Sequence, residues 1–137
     1  MDTFRVRVLA SDRAFFDGPC RSLTIPCSDG ELGVLAHHTN MIAAVVPGEM
    51  RIVTQDGQER TAAVSAGLAK IENGEALLLV DTAERPEDID ANRARRAADA
   101  AREELLQKKS LREYRSAQAS LARAASRLRV RSRWDGT

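Results

Sequence analysis

"DTAERPEDIDANRARR" runs from Asp81 to Arg96 and divides the chain in two. Before it the sequence reads as sheet, and after it as helix. Pro86 suits the first position of a helix, where its missing N–H costs nothing. Glu87, Asp88 and Asp90 then fall in the first turn, where the helix dipole favours negative charge, and Arg93, Arg95 and Arg96 follow beyond it. The charge balance changes at the same place. Residues 1–81 carry 7 Lys/Arg and 11 Asp/Glu, a net of −4, whereas residues 82–137 carry 14 and 9, a net of +5. A split of this kind marks two units with different partners. The expected domains are residues 1–82 and 83–137.

Downstream of the switch, Ile89, Arg93, Ala97, Ala101 and Leu105 share one helical stripe, with Ala94 and Ala98 beside it. Positive charge at Lys108-Lys109 suits the end of this helix. Ser110 is a good N-cap, and Glu113 three residues on completes a capping box. In the second helix Leu111, Tyr114, Gln118, Leu121, Ala125 and Leu128 recur every three to four residues. Two helices joined by so short a turn pair antiparallel. Their contact face is rich in alanine. At about 25 cal/mol per Å² of apolar surface, such a seam is a weak clamp that lets the hairpin open or swing away.

Upstream, three hairpin signals occur at Asp29-Gly30, Asp56-Gly57 and Asn73-Gly74. Each dipeptide supplies the positive φ angles of a tight type I′ turn. Leu23–Pro26 leads into the first turn and Leu32–Leu35 leads out. Arg51–Thr54 faces Arg60–Val64 across the second, and Leu68–Ile71 faces Ala76–Val80 across the third. Phe4, Val6 and Val8 alternate with Arg5 and Arg7, as in a half-buried strand. "HHTNMIAAVVPG" is ambiguous but ends in a turn at Pro47-Gly48. Many short strands with close turns predict a sandwich or barrel. The fold class is therefore α+β, with short antiparallel strands followed by a two-helix hairpin.

No motif for chemistry emerges. Cys20 and Cys27 fit no metal spacing and read as free thiols. His37 and His38 are adjacent, so on a strand they point to opposite faces, poor geometry for two ligands of one metal. No nucleophile–base pair is visible, and no cofactor is required. No apolar run is long enough to cross a membrane, and the N-terminus lacks a secretory pattern, so a cytoplasmic chain is expected. The tail "RAASRLRVRSRW" carries Arg123, Arg127, Arg129, Arg131 and Arg133 with no acid between them. It reads as a solvated basic helix end, as a surface for an acidic protein, or as a nonspecific nucleic-acid contact. The last is disfavoured, because no stacking platform or groove-reading motif accompanies it.

Several stretches, in order along nearly the whole chain, resemble the epsilon subunit of the bacterial rotary (F-type) ATP synthase. "DGELGVL" is similar to the family's Gly-Glu-Leu-Gly loop, and "PGEMRIV" to its Pro-Gly followed by a strand. "VSAGLAKI", "DTAER", "IDANRA" and "LARAASRLRV" are similar to its later signatures. "AHHTNMI" departs from the family's Pro-Gly-His-Ala-Pro-Leu-Leu and keeps only His38 as an exact match. The resemblance implies an N-terminal β-sandwich and a C-terminal antiparallel two-helix hairpin. It also implies a noncatalytic rotor subunit that couples the catalytic head to the c-ring and inhibits ATP hydrolysis through its helices.

The implied partners are the gamma subunit, the c-ring and the alpha/beta catalytic head, with no nucleic acid and no direct membrane insertion. The implied location is the cytoplasmic face of the bacterial inner membrane. Glu31 and His38 are the expected c-ring or gamma contacts. Arg123, Arg127, Arg129 and Arg131 are expected to meet carboxylates of the catalytic head. In some members the Ile/Leu-Asp-x-x-Arg-Ala motif binds ATP as a weak regulatory ligand. It maps here to Ile89, Asp90, Arg93 and Ala94, with Glu84, Arg123 and Arg127 as further positions. Those members carry another arginine seven residues on, where this chain has Ala100. The competing structural reading is that Asp90 caps the helix and Arg93 pairs with it. The alternative function is a small nucleotide-sensing or nucleic-acid-binding adaptor outside a synthase.

Overall fold

A computed structural model describes residues 2–107 and 110–136. They form two compact units, Met1–Glu84 and Arg85–Thr137. The first unit contains β1 (Phe4–Ala10), β2 (Ala14–Cys27), β3 (Gly30–Leu35), β4 (Met41–Val45), β5 (Gly48–Thr54), β6 (Glu59–Val64), β7 (Gly67–Glu72), β8 (Glu75–Val80) and β9 (Ala83–Glu84). Strand order is β1-β8-β7-β4-β2-β5-β6-β9, with β3 on β2 and β1 also on β2. Among the described residues the pairings are antiparallel, apart from parallel β1 and β8.

The 14-residue β2 holds this β-sandwich together. Its first half pairs with β1, from Phe4↔Cys20 to Leu9↔Ala14. Its second half pairs with β3 and with β5. A register shift between Cys20 and Ser22 separates the halves. A bulge there adds twist, which lets one strand serve both layers. Alternation then fills the interior. Phe4, Val6 and Val8 of β1, Leu23 and Ile25 of β2, Met50 and Ile52 of β5, Ile71 of β7 and Leu78 of β8 are buried in one core.

Only the third expected type I′ turn has that geometry. Asn73 (φ 52°) and Gly74 (φ 75°) are both left-handed, between the paired Glu72 and Glu75. At the other two, glycine alone is left-handed, Gly30 at φ 120° and Gly57 at φ 85°. In the second, the Gly57 N–H donates to Thr54 O (3.0 Å) and the Thr54 N–H to Gln58 O (2.9 Å). This is a three-residue loop closed by a glycine bulge, which spares the aspartate a positive φ. The Thr54 hydroxyl donates to Asp56 Oδ1 (2.6 Å) and holds that carboxyl below its ordinary pKa.

In the second unit, Pro86–Asp88 forms a single 3₁₀ turn and Ile89 is extended (φ −80°, ψ 122°). The α-helix α1 therefore covers Ala91–Leu106, starting later than Pro86 as expected from sequence. The acidic residues at 87 and 88 lie in the 3₁₀ turn, and Asp90 caps the helix. The stop expected at Lys108-Lys109 lies outside the described residues. Helix α2 covers Leu111–Gly136, and the Glu113 N–H donates to Ser110 Oγ (3.3 Å), the expected cap.

The two helices pack on each other through alanine. Ala94, Ala98 and Ala101 of α1 and Ala117 and Ala124 of α2 are buried, with Leu105, Leu121 and Leu128 half-buried beside them. The seam is rotated from the sequence expectation. Arg93 and Ala97 are exposed on α1, and Leu111, Tyr114 and Gln118 are exposed on α2. Small side chains won the contact because they let the backbones approach closely.

Two glycines give a paired test. A Cβ on Gly67 would lie 2.0 Å from Leu79 O, whereas one on Gly33 meets nothing within 4 Å. Gly67→Ala is expected to destabilise by about 1–3 kcal/mol, a typical overpacking cost. Gly33→Ala is expected to stay within about 0.5 kcal/mol of the parent. Urea denaturation midpoints at unchanged slope check both.

Candidate functional site

The stretch from Ile89 to Ala94 is built by the helix start. Ile89 and Ala94 are buried. The Arg93 backbone N–H donates to Asp90 Oδ1 (3.0 Å), so the carboxylate caps α1. That hydrogen bond, with Arg96 nearby, lowers the Asp90 pKa. The Arg93 side chain is exposed, as is Ala100. Glu84 belongs to the first unit, where β9 pairs it with Ala63. The remaining expected ATP-site residues, Arg123 and Arg127, are half-buried on α2, and Arg123 Nη2 donates to Ser120 Oγ (3.0 Å).

Helical spacing sorts the basic residues of α2 into two stripes rather than one patch. Arg123, Arg127 and Arg131 recur at four-residue intervals, and Arg129 with Arg133 forms a second row. Arg129 is exposed. Arg131 is engaged inside the hairpin: its Nη1 donates to Pro86 O (3.1 Å), Glu87 O (3.2 Å) and Ile89 O (3.3 Å).

On the sandwich, Glu31 of β3 takes a two-pronged contact from Arg51 of β5, at 3.0 and 2.7 Å. Arg51 also reaches Glu49 Oε1 (3.3 Å), and the two carboxylates raise its pKa. His37 and His38 lie in the loop after β3, not on a strand. His37 is left-handed (φ 66°), and its Nε2 is 3.1 Å from Asp2 Oδ2. His38 Nδ1 donates to Thr39 O (2.8 Å). Among the described residues no group of three His, Cys, Asp or Glu side chains is placed to hold a metal. Cys20 is buried, which pushes its thiol pKa up to about 11, and Cys27 is half-buried.

Sequence reasoning missed an apolar row on the outside of the sheet. Register aligns Leu9, Leu79, Leu68 and Ala44 across β1, β8, β7 and β4. Leu68 and Leu79 are 53% and 48% exposed, and Ile42, two residues along β4, is 69% exposed. An outward apolar row of this kind marks an interaction surface. The signal was present in "ALLLV" (Ala76–Val80), an unbroken apolar run of the type carried by strands covered on both faces.

The Asp90 cap makes the hairpin sensitive to acid. Because its pKa is lowered on folding, the cap's stabilisation is present above the ordinary carboxylate pKa and is lost as pH falls through the folded value. Asp90→Asn, which caps without titrating, is expected to remove that part of the acid-induced loss of helical circular dichroism. Asp90→Ala is expected to lower helix content already at neutral pH.

Family models cover nearly the whole chain. Residues 3–86 match the model of the ATP synthase delta/epsilon chain beta-sandwich domain, and residues 87–131 match that of its long alpha-helix domain. The ATP synthase epsilon chain of Ruminiclostridium cellulolyticum is 44% identical over 97% of this chain and 98% of its own length. That of Caldicellulosiruptor bescii is 36% identical over 95% of this chain and 94% of its own. In fold, the chain is similar to one in the Euglena gracilis mitochondrial ATP synthase OSCP/F1/c-ring structure. The TM-score is 0.79 at 21% identity, covering 90% of this chain and 78% of the other. Among the described residues no helix is long and apolar enough to cross a membrane. The chain belongs to the delta/epsilon family of ATP synthase chains, and its relatives there are the bacterial epsilon chains.

Proposed function

We propose that this chain is a noncatalytic subunit of the central rotor stalk of a proton-translocating ATP synthase, where it couples the catalytic head to the c-ring and restrains ATP hydrolysis. The observation that carries this reading is the pairing of a rigid sandwich with a thinly clamped helical hairpin, matched to the epsilon chains along the whole length. The outer row of Ile42, Leu68 and Leu79 suits an apolar partner such as the gamma subunit. Glu31 and His38 lie at polar positions suited to the c-ring or gamma. Arg123, Arg127, Arg129 and Arg131 suit carboxylates of the alpha/beta head once the hairpin opens. The chain is a peripheral subunit of that complex, on the cytoplasmic face of a bacterial inner membrane.

No cofactor is required. ATP is proposed as a weak regulatory ligand at Ile89, Asp90, Arg93 and Ala94, with Glu84, Arg123 and Arg127 as the further positions. The exposed Arg93 guanidinium supports phosphate binding. The commitment of the Asp90 carboxylate to the helix cap and the alanine at position 100 support low affinity.

The test is ATP hydrolysis by a catalytic head depleted of this subunit, titrated with the full chain and with a chain ending at Glu84. The full chain is expected to slow hydrolysis, and the shortened chain to bind without slowing it. Binding by both with no slowing by either would leave a coupling part without a brake. Failure of both to bind would remove the stalk assignment.

A further inference from the structure

Arg131 sits where the second helix meets the start of the first. In a continuous helix the Arg93 N–H would bond to Ile89 O, but Asp90 takes that N–H as cap. Pro86 O accepts the Ile89 N–H (3.3 Å) within the 3₁₀ turn, and the extended Ile89 leaves its own carbonyl to a donor from elsewhere in the second unit. Arg131 Nη1 supplies it, shared among Pro86 O, Glu87 O and Ile89 O at 3.1–3.3 Å. The guanidinium is oriented from both sides. Its Nε donates to Asp135 Oδ2 (3.2 Å), and its carbon lies 5.2 Å from the ring centre of Trp134. Asp135 is otherwise poorly placed, because an acid in the last turn opposes the helix dipole. Its position makes sense as the group that aims Arg131.

We propose that Arg131, held by Asp135 and Trp134, is the latch of the hairpin, and that its release from the carbonyls at residues 86–89 sets how readily α2 leaves α1. Ile89 and Val130 are buried at this end, and beyond them the alanine seam buries little area, so a charged donor on three carbonyls adds a directed contact to what closes it. The latch also makes the two states exclusive. With Nη1 on these carbonyls and Nε on Asp135, only Nη2 is left, so the paired N–H fork that grips a partner's carboxylate forms only once the latch releases. This second consequence rests on the proposed stalk function, whereas the latch itself does not.

Amide hydrogen exchange of the full chain tests it. Arg131→Gln is expected to raise exchange over residues 86–94 and the last two turns of α2 on the order of tenfold, the scale of a lost charge-assisted hydrogen bond. Strands β5 and β6 are expected to keep the parent rates. Asp135→Asn is expected to raise exchange in the same segments, although dipole effects alone would slow it. Unchanged exchange in Arg131→Gln, or slower exchange in Asp135→Asn, would overturn the latch. Asp135→Asn keeps every arginine, so it is expected to inhibit hydrolysis at lower concentration than the parent chain. Faster exchange in both variants, with no inhibition by any form including the parent, would uphold the latch and remove the stalk function instead.

Discussion

The close approach of two helices through alanine governs the second unit. Ala94, Ala98, Ala101, Ala117 and Ala124 bring the backbones together while removing little apolar surface from water. Leucines at these positions would bury more and hold the helices farther apart. With alanine, the ends of the hairpin become accessible to polar side chains, and Arg131 can span from α2 to the turn that precedes α1. The directed hydrogen bonds at this end add to the burial of Ile89, Val130 and the alanines.

The sandwich is built on the opposite principle. Its interior is filled by Val, Leu, Ile and Met on alternating strand positions, and β2 carries the chain through both layers. The Arg5–Asp17 ion pair, at 3.0 Å, lies on the surface, where the arginine lowers the carboxyl pKa. Exposed pairs of this kind contribute little to stability. A packed unit beside a lightly clamped one fits a part that must stay attached while one segment changes state.

Much of this was legible in the residues. The period-two pattern of Phe4, Val6 and Val8 and the turn glycines placed the strands, and Ser110 with Glu113 marked the start of α2. The cap at Asp90 was legible too, because an acid before the first turn can accept from its free N–H groups. The turn types were less legible, because Asp-Gly serves both a type I′ turn and a glycine bulge, and loop length decides between them. The helix start was misplaced because Pro86 opens a 3₁₀ turn as readily as an α-helix. The alanine character of the seam was legible, but its rotation was not: the stripe through Arg93 and Ala97 is exposed, and the one through Ala94 and Ala98 makes the contact. The role of Arg131 had no local signal at all, since its acceptors are backbone carbonyls more than forty residues away.

The junction between the units has a mechanical consequence. Strand β9 ties the chain to β6 through Glu84, and Arg13 Nη2 donates to Ala83 O (3.2 Å). The 3₁₀ turn begins at Pro86, whose ring fixes φ. Arg85 alone lies between, extended at φ −71°, ψ 150°. A one-residue coupling behaves as a pivot with few rotatable bonds, not as a tether with slack. Reorientation at the junction therefore turns on the few backbone torsions around Arg85.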